Sequence, residues 1–256
     1  MVLLAIDIGN SSINIGFFVD SELFIKQINT WPIMNAREYS SIINKVMNEK
    51  NIDKRPEGVI ISSVVPEHTG VMGRTLMDLL SMEPLIVSDK IKTGLTFNIR
   101  NPEKLGSDRI ANAVAAYETC HCAVAVVDFG TATTISVVGN NAVFLGGAIL
   151  PGIRLMNESL SKGTAQLSEV SLIEQSISAL GSDTDKCIQS GIFFGTAGAV
   201  DRILNEIEKE IGSKLKIILT GGYSNILAKF FKKDAYLMPH LTLQGLRIIY
   251  LRNKYA

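Results

Sequence analysis

Ala5-Ile6-Asp7-Ile8-Gly9-Asn10-Ser11-Ser12 and Val126-Val127-Asp128-Phe129-Gly130-Thr131-Ala132-Thr133 share one plan. Each is an apolar strand ending in Asp, one residue, Gly, then small hydroxyl or amide residues. Such a turn suits a phosphate, because glycine lets the backbone approach and peptide N–H groups can face the oxygens. Two such turns facing each other, each with a carboxylate for a cation, would form a nucleotide-binding cleft. Asp7 and Asp128 end apolar strands, where an ionised carboxylate is costly unless a cation or donors satisfy it. Magnesium near Asp7 fits, since that ion is usually held by one or two carboxylates plus phosphate oxygens. The structural alternative is an aspartate that caps its own turn.

The segments around each copy repeat as well. Residues 2–8, 13–19 and 22–28 read as a β-meander, and 123–128, 133–138 and 142–148 as another, with Gly139-Asn140-Asn141 as a hairpin turn. After the first meander, Asn35-Ala36-Arg37-Glu38 reads as a capping box for a helix reaching about Lys50. Val59–Val65 is β-branched and reads as a buried parallel strand, followed by a helix over 68–82 and a short strand over 84–87. After the second meander, helices are expected near 153–167 and 184–211. A strand over 216–220 ending in Gly221-Gly222, a helix near 224–232, a short strand near 235–238 and a closing helix from Thr242 follow. The spacing from Asp7 to Asp128 is domain-sized, so a duplicated β-β-β-α-β-α unit is expected, with domains at 1–121 and 122–256.

Composition narrows the function classes. Lys+Arg and Asp+Glu are equal at 25 each, and hydrophobic residues make up 46%. A balanced chain with no dense basic helix argues against a nucleic-acid partner. The start meets Asp7 before a signal-peptide core could form, and no apolar run approaches the roughly 20 residues of a membrane span, so no membrane and a cytoplasmic location are expected. Cys120, Cys122 and Cys187 are odd in number and lie in apolar stretches, which fits reduced, buried thiols; Cys120-His121-Cys122 lacks zinc-ligand spacing. His68 and His240 are expected as surface or capping groups, and Trp31 as a packing anchor.

A third constellation lies in Asn101-Pro102-Glu103-Lys104-Leu105-Gly106-Ser107-Asp108-Arg109, a polar loop running onto a helix. Asp108 in the first turn suits a general base toward a hydroxyl, with Arg109 as an anion clamp. A purely dipole-stabilising role is the plainer reading of a first-turn aspartate.

Five ordered motifs, Asp7-Ile-Gly-Asn-Ser, Gly106-Ser-Asp-Arg109, Asp128-Phe-Gly-Thr-Ala-Thr133, Gly146-Gly-Ala-Ile-Leu-Pro-Gly152 and Thr184-x-x-x-Ile-Gln-Ser-Gly191, together resemble type III pantothenate kinase. The resemblance implies an α/β fold of two duplicated ribonuclease-H-like domains with mixed five-stranded sheets and a cleft between them, as in the actin-like, sugar-kinase and chaperone ATPase superfamily. It implies ATP-dependent phosphorylation of the primary alcohol of pantothenate, the first step of coenzyme A synthesis. Carried over by position, Asp7, Ile8, Gly9, Asn10, Ser11, Ser12 and Thr131 would bind ATP. Asp128 would hold a monovalent cation, potassium or ammonium, and Asp7 magnesium, directly or through water. Asp108 would accept the proton, and Gly106, Ser107, Asp108, Arg109 and Thr184 would contact pantothenate, Thr184 across a homodimer interface. Ile99 stands where the family usually has Tyr, and Ser107 where Ala is common. The competing readings are a nucleotide-binding regulatory protein on the same fold and a kinase of another small alcohol.

Overall fold

A computed structural model describes residues 1–173 and 176–254. It divides into two compact units, one of Met1–Glu118 with the residues from Leu241 on, the other of Thr119–His240.

In the first unit, β1 (Val2–Ile8), β2 (Ser12–Val19) and β3 (Glu22–Asn29) form the meander. α1 (Ala36–Glu49), β4 (Gly58–Ser63), α2 (Pro66–Leu80) and β5 (Leu85–Ile86) follow. The sheet order is β3-β2-β1-β4-β5, antiparallel within the meander and parallel across β1-β4-β5. The next connection carries β6 (Thr96–Phe97) and a single 3-10 turn at Pro102–Lys104 before α3 (Ser107–Cys120). The capping box forms as expected: Asn35 Oδ1 accepts the Glu38 amide at 3.1 Å, and Glu38 Oε2 accepts the Asn35 amide at 2.7 Å.

β1 is apolar almost throughout because both of its faces are covered. Leu4, Ile6 and Ile8 pack on one side with Ile43 and Val46 of α1 and Met72 and Leu76 of α2. Leu3 and Ala5 pack on the other with Ile110 and Val114 of α3 and with Leu246 and Ile249. The last two belong to α7 (Leu241–Lys254), so the closing helix packs in the first unit, whereas the sequence had grouped it within 122–256. Its apolar positions complete the layer that α3 begins, and Thr242 Oγ1 donates to Asn112 Oδ1 at 2.8 Å.

The second unit repeats the topology. β7 (Val124–Phe129), β8 (Ala132–Gly139) and β9 (Val143–Pro151) form its meander, and β10 (Lys216–Thr220) and β11 (Tyr236–Leu237) add parallel strands, giving the order β9-β8-β7-β10-β11. α4 (Ile153–Gly163) and α5 (Thr184–Ile211) lie between β9 and β10 in the chain. Ala125, Val127 and Phe129 of β7 pack with Ile188, Ile192, Val200 and Leu204 of α5. The expected helix at 224–232 is α6 (Ser224–Leu227) followed by a 3-10 turn, Ala228–Phe230. The same strand order and sense in both units is the duplication that the paired signatures anticipate.

The three thiols are not buried as expected: Cys120 and Cys122 are half-buried and Cys187 is exposed in the first turn of α5. Two aromatic expectations are also corrected. His68 is fully buried, with Nδ1 2.7 Å from the Tyr39 hydroxyl, because α2 packs this face onto α1. Burial pushes the His68 imidazole down and the Tyr39 phenol up. Trp31 is 54% exposed, its ring edge-on to His68 at 5.4 Å, so it covers the histidine without entering the core. No helix among the described residues is long and apolar enough to cross a membrane.

Candidate active site

The motif Asp7–Ser12 occupies the end of β1 and the turn into β2. The Gly9 amide donates to the Ser12 carbonyl at 3.0 Å, which closes the turn. Parallel register sets Asp7 beside Ser62 and Ile8 beside Ser63 of β4. Ser107, the first residue of α3, reaches those same serines. Its Oγ lies 3.0 Å from Ser62 Oγ, accepts the Ser63 amide at 2.8 Å and donates to the Ser63 carbonyl at 3.0 Å. Asp7, Ser62, Ser107 and Asp108 therefore form an unbroken series of neighbours, and the first and third sequence motifs meet at the carboxyl ends of two parallel strands. Ligands of open α/β sheets bind at such strand ends.

Beside them opens a cavity of about 470 Å³, lined by Ser63, Val64, Ser88, Glu103, Gly106 and Ser107 among others, a volume suited to a small molecule. The Ser107 hydroxyl is committed to Ser62 and Ser63, so this side chain anchors the start of α3. Asp108 Oδ1 accepts the Arg109 amide at 2.8 Å and folds over Gly106, where a Cβ would strike it. Burial pushes the Asp108 carboxyl up, against the opposing pull of the Arg109 amide and guanidinium. Burial lowers Arg109 in turn, and Asp108 offsets part of that. Asp108 follows directly on Gly106 and Ser107 of the cavity wall, and a desolvated carboxylate is a stronger base than a solvated one.

In the second unit, Asp128 ends β7, with Thr134 of β8 and Thr220 of β10 in register on either side. β10 runs into Gly221 at φ +91°, where a Cβ would strike Asp128 Oδ1 and lie 2.7 Å from Phe129 N and C. Thr131 is half-buried in the turn, and its carbonyl accepts the Gly152 amide at 3.2 Å. Thr133 is fully buried with an Oγ1 that makes no hydrogen bond. Thr133 is in register with Phe129, on the other face of the sheet from Asp128, so the carboxylate over Gly221 is the group here that suits a cation beside a phosphate-bearing ligand. Thr184 opens α5 and is exposed, with Asp183 capping the helix by accepting the Lys186 amide at 2.9 Å.

Among the described residues, no cluster of three His, Cys, Asp or Glu side chains is placed to hold a metal. An ion such as magnesium, commonly held by one or two carboxylates with phosphate oxygens and water, does not need such a cluster. The Ser62–Ser63 support of Ser107 lay outside the sequence reading, because a strand register is needed to bring residues 62 and 107 together. Gly221-Gly222, by contrast, was visible as the end of a strand, without a signal for what it faced. Ile99 is half-buried in the connection that carries β6.

A family model described as type III pantothenate kinase matches residues 3–206. A type III pantothenate kinase of Moorella thermoacetica is 36% identical to the chain, covering 98% of it and 100% of that protein. One of Finegoldia magna is 38% identical, covering 99% and 98% respectively. Among solved structures, a ROK hexokinase from Thermus thermophilus superposes with a TM-score of 0.57 over 100% of both chains at 14% identity, a likeness of fold.

Proposed function

The chain belongs to the type III pantothenate kinase family, and from that premise we propose how its residues transfer the γ-phosphoryl group of ATP to the primary alcohol of pantothenate. Asp108 accepts the proton of the hydroxyl as its oxygen attacks the γ-phosphorus; the bond to the β–γ bridging oxygen breaks and ADP leaves. The observation that carries this assignment is the desolvated Asp108 carboxyl at the start of α3, joined through Ser107 and Ser62 to the strand end that carries Asp7. Arg109 clamps the pantothenate carboxylate, and Gly106 gives the substrate backbone access.

Asp7 to Ser12 and Thr131 bind ATP. Magnesium held by Asp7, directly or through water, and a monovalent cation held by Asp128 neutralise phosphate charge when bound. Thr184 contacts pantothenate within a homodimer. Support for self-association comes from α5, where Gly191, Gly195 and Gly198 are exposed with open space where a side chain would stand, and Phe194 is 40% exposed beside them. Small residues at that spacing let two helices approach closely. The location is cytoplasmic, where ATP is supplied.

Asp108→Asn tests the assignment. Turnover should fall by about 10²–10⁴-fold, the range of a lost general base, while an ATP analogue binds as before. Near-normal turnover would reject Asp108 as the base.

A further inference from the structure

We infer that Thr30 is a positioning residue for the Gly9–Ser12 turn, holding the carbonyls of Gly9 and Ser11 away from the phosphates of the nucleotide. The inference rests on the assignment of Asp7–Ser12 to ATP. Thr30 follows the last residue of β3 and is fully buried. Its Oγ1 donates to the Gly9 carbonyl at 2.7 Å, and its amide donates to the Ser11 carbonyl at 3.2 Å. The Gly9 amide takes the Ser12 carbonyl at 3.0 Å. The carbonyls of Gly9, Ser11 and Ser12 are thus bound within the protein. A peptide carbonyl aimed at a triphosphate repels it, and one peptide flip would exchange an attractive N–H for a repulsive C=O.

The geometry follows from the meander. Ser12 pairs with Asn29 across β2 and β3, so the first residue beyond β3 lies beside the turn. The second unit has the same backbone tie: Gly152, the first residue beyond β9, donates its amide to the Thr131 carbonyl at 3.2 Å. Glycine has no hydroxyl to add a second bond there. The amide tie is therefore common to both repeats, and the side-chain bond to Gly9 is particular to the first. A hydroxyl is required for it, since valine would match the shape of Thr30 and leave the Gly9 carbonyl without its donor. Trp31, the single tryptophan of the chain, comes next and reports on the same segment through its emission.

The test compares unmodified protein with Thr30→Val and Thr30→Ser, using a non-hydrolysable ATP analogue as probe and measuring both Michaelis constants. Thr30→Val should weaken analogue binding and raise the KM for ATP about tenfold or more, with the KM for pantothenate within about twofold of its original value. Thr30→Ser should restore ATP binding to within about threefold. Unchanged analogue affinity in Thr30→Val, or an equal rise in both Michaelis constants, would overturn the role. Amide exchange on the unmodified protein separates the two layers of the argument. Loss of analogue protection at Gly9–Ser12 there would remove the nucleotide assignment, whereas protection combined with a fully competent Thr30→Val would remove only the Thr30 role. Should Thr30→Val fail to fold, Trp31 emission in the unmodified protein decides: it should shift on adding the analogue and stay constant with pantothenate alone. A constant signal in both titrations would count against the inference.

Discussion

Gly221→Ala places a methyl group against the carboxylate that the second unit sets at the end of β7. The added Cβ would strike Asp128 Oδ1 and lie 2.7 Å from the backbone N and C of Phe129. The carboxylate can swing aside, but the Phe129 backbone is fixed in the β7–β10 ladder, where Thr220 is in register with Asp128. A side chain at φ +91° adds about 1 kcal/mol of backbone strain. Relieving the overpacking adds about 1–3 kcal/mol. A total near 3 kcal/mol corresponds to a Tm lowered by about 6–12 °C for a chain of this length. Since Asp128 is also the proposed cation ligand, the variant should need more potassium for half-maximal activity. Gly70→Ala is the control, because it lies exposed within α2 with nothing within 4 Å of the new atom. That change should raise stability by about 0.5–1 kcal/mol and leave activity unchanged. Differential scanning calorimetry and a potassium titration of turnover measure both quantities. A Gly221→Ala protein with unchanged Tm and potassium response would refute the reasoning about this corner.

Asp108 must be ionised to accept a proton, so its raised pKa should shift the acid limb of kcat/KM above the ordinary aspartate value, and Asp108→Asn should abolish that limb. The folded state also binds this proton more tightly than the unfolded chain, so the ionised group costs stability at neutral pH. Asp108→Asn should therefore raise Tm while it removes activity, which thermal denaturation at pH 7 checks. Glu208 shifts the opposite way: burial works to raise its carboxyl, yet the Leu215 amide and the Lys233 and Lys214 ammonium groups bring it down to about 2. Its contribution is present above the unfolded pKa and lost as pH falls from about 4.5 toward 2; Glu208→Gln should cost about 2–3 kcal/mol at pH 7 by urea denaturation and flatten that acid limb. Asn253 binds both the amide and the carbonyl of Lys92, at 3.1 and 3.0 Å, in the connection leading to Gly106. Asn253→Ala should raise the KM for pantothenate severalfold in steady-state kinetics with little effect on that for ATP. Gly195→Leu should shift the mass measured by light scattering from dimer to monomer.

The two meanders and α5 were legible because their signals are local: alternating or continuous apolar runs bounded by glycine, and a helix beginning after Asp183 and closing at Gly212 in the left-handed conformation. The capping box at Asn35 was legible for the same reason. His68 was misread because its neighbours in sequence, Glu67 and Thr69, are those of a helix start, while the Tyr39 that buries it lies on another helix. The closing helix was misassigned because an amphipathic segment carries no address. Leu243, Leu246 and Ile249 fit either half until the layer begun by α3 shows which one lacks a cover. The site divides along the same line. Asp7, Asp108 and Asp128 stand out by their turn residues, whereas Ser62, Thr30 and Gly221 act only through strand register.

The most direct measurement is ADP release coupled to detection of the phosphorylated acceptor, with pantothenate, glucose, glycerol or no acceptor present. Membership in the kinase family and the Asp108 site predict ADP formed in equal amount to phosphopantothenate, and little with the other three. ADP released at the same rate without pantothenate, or a faster reaction with glucose, would contradict the account.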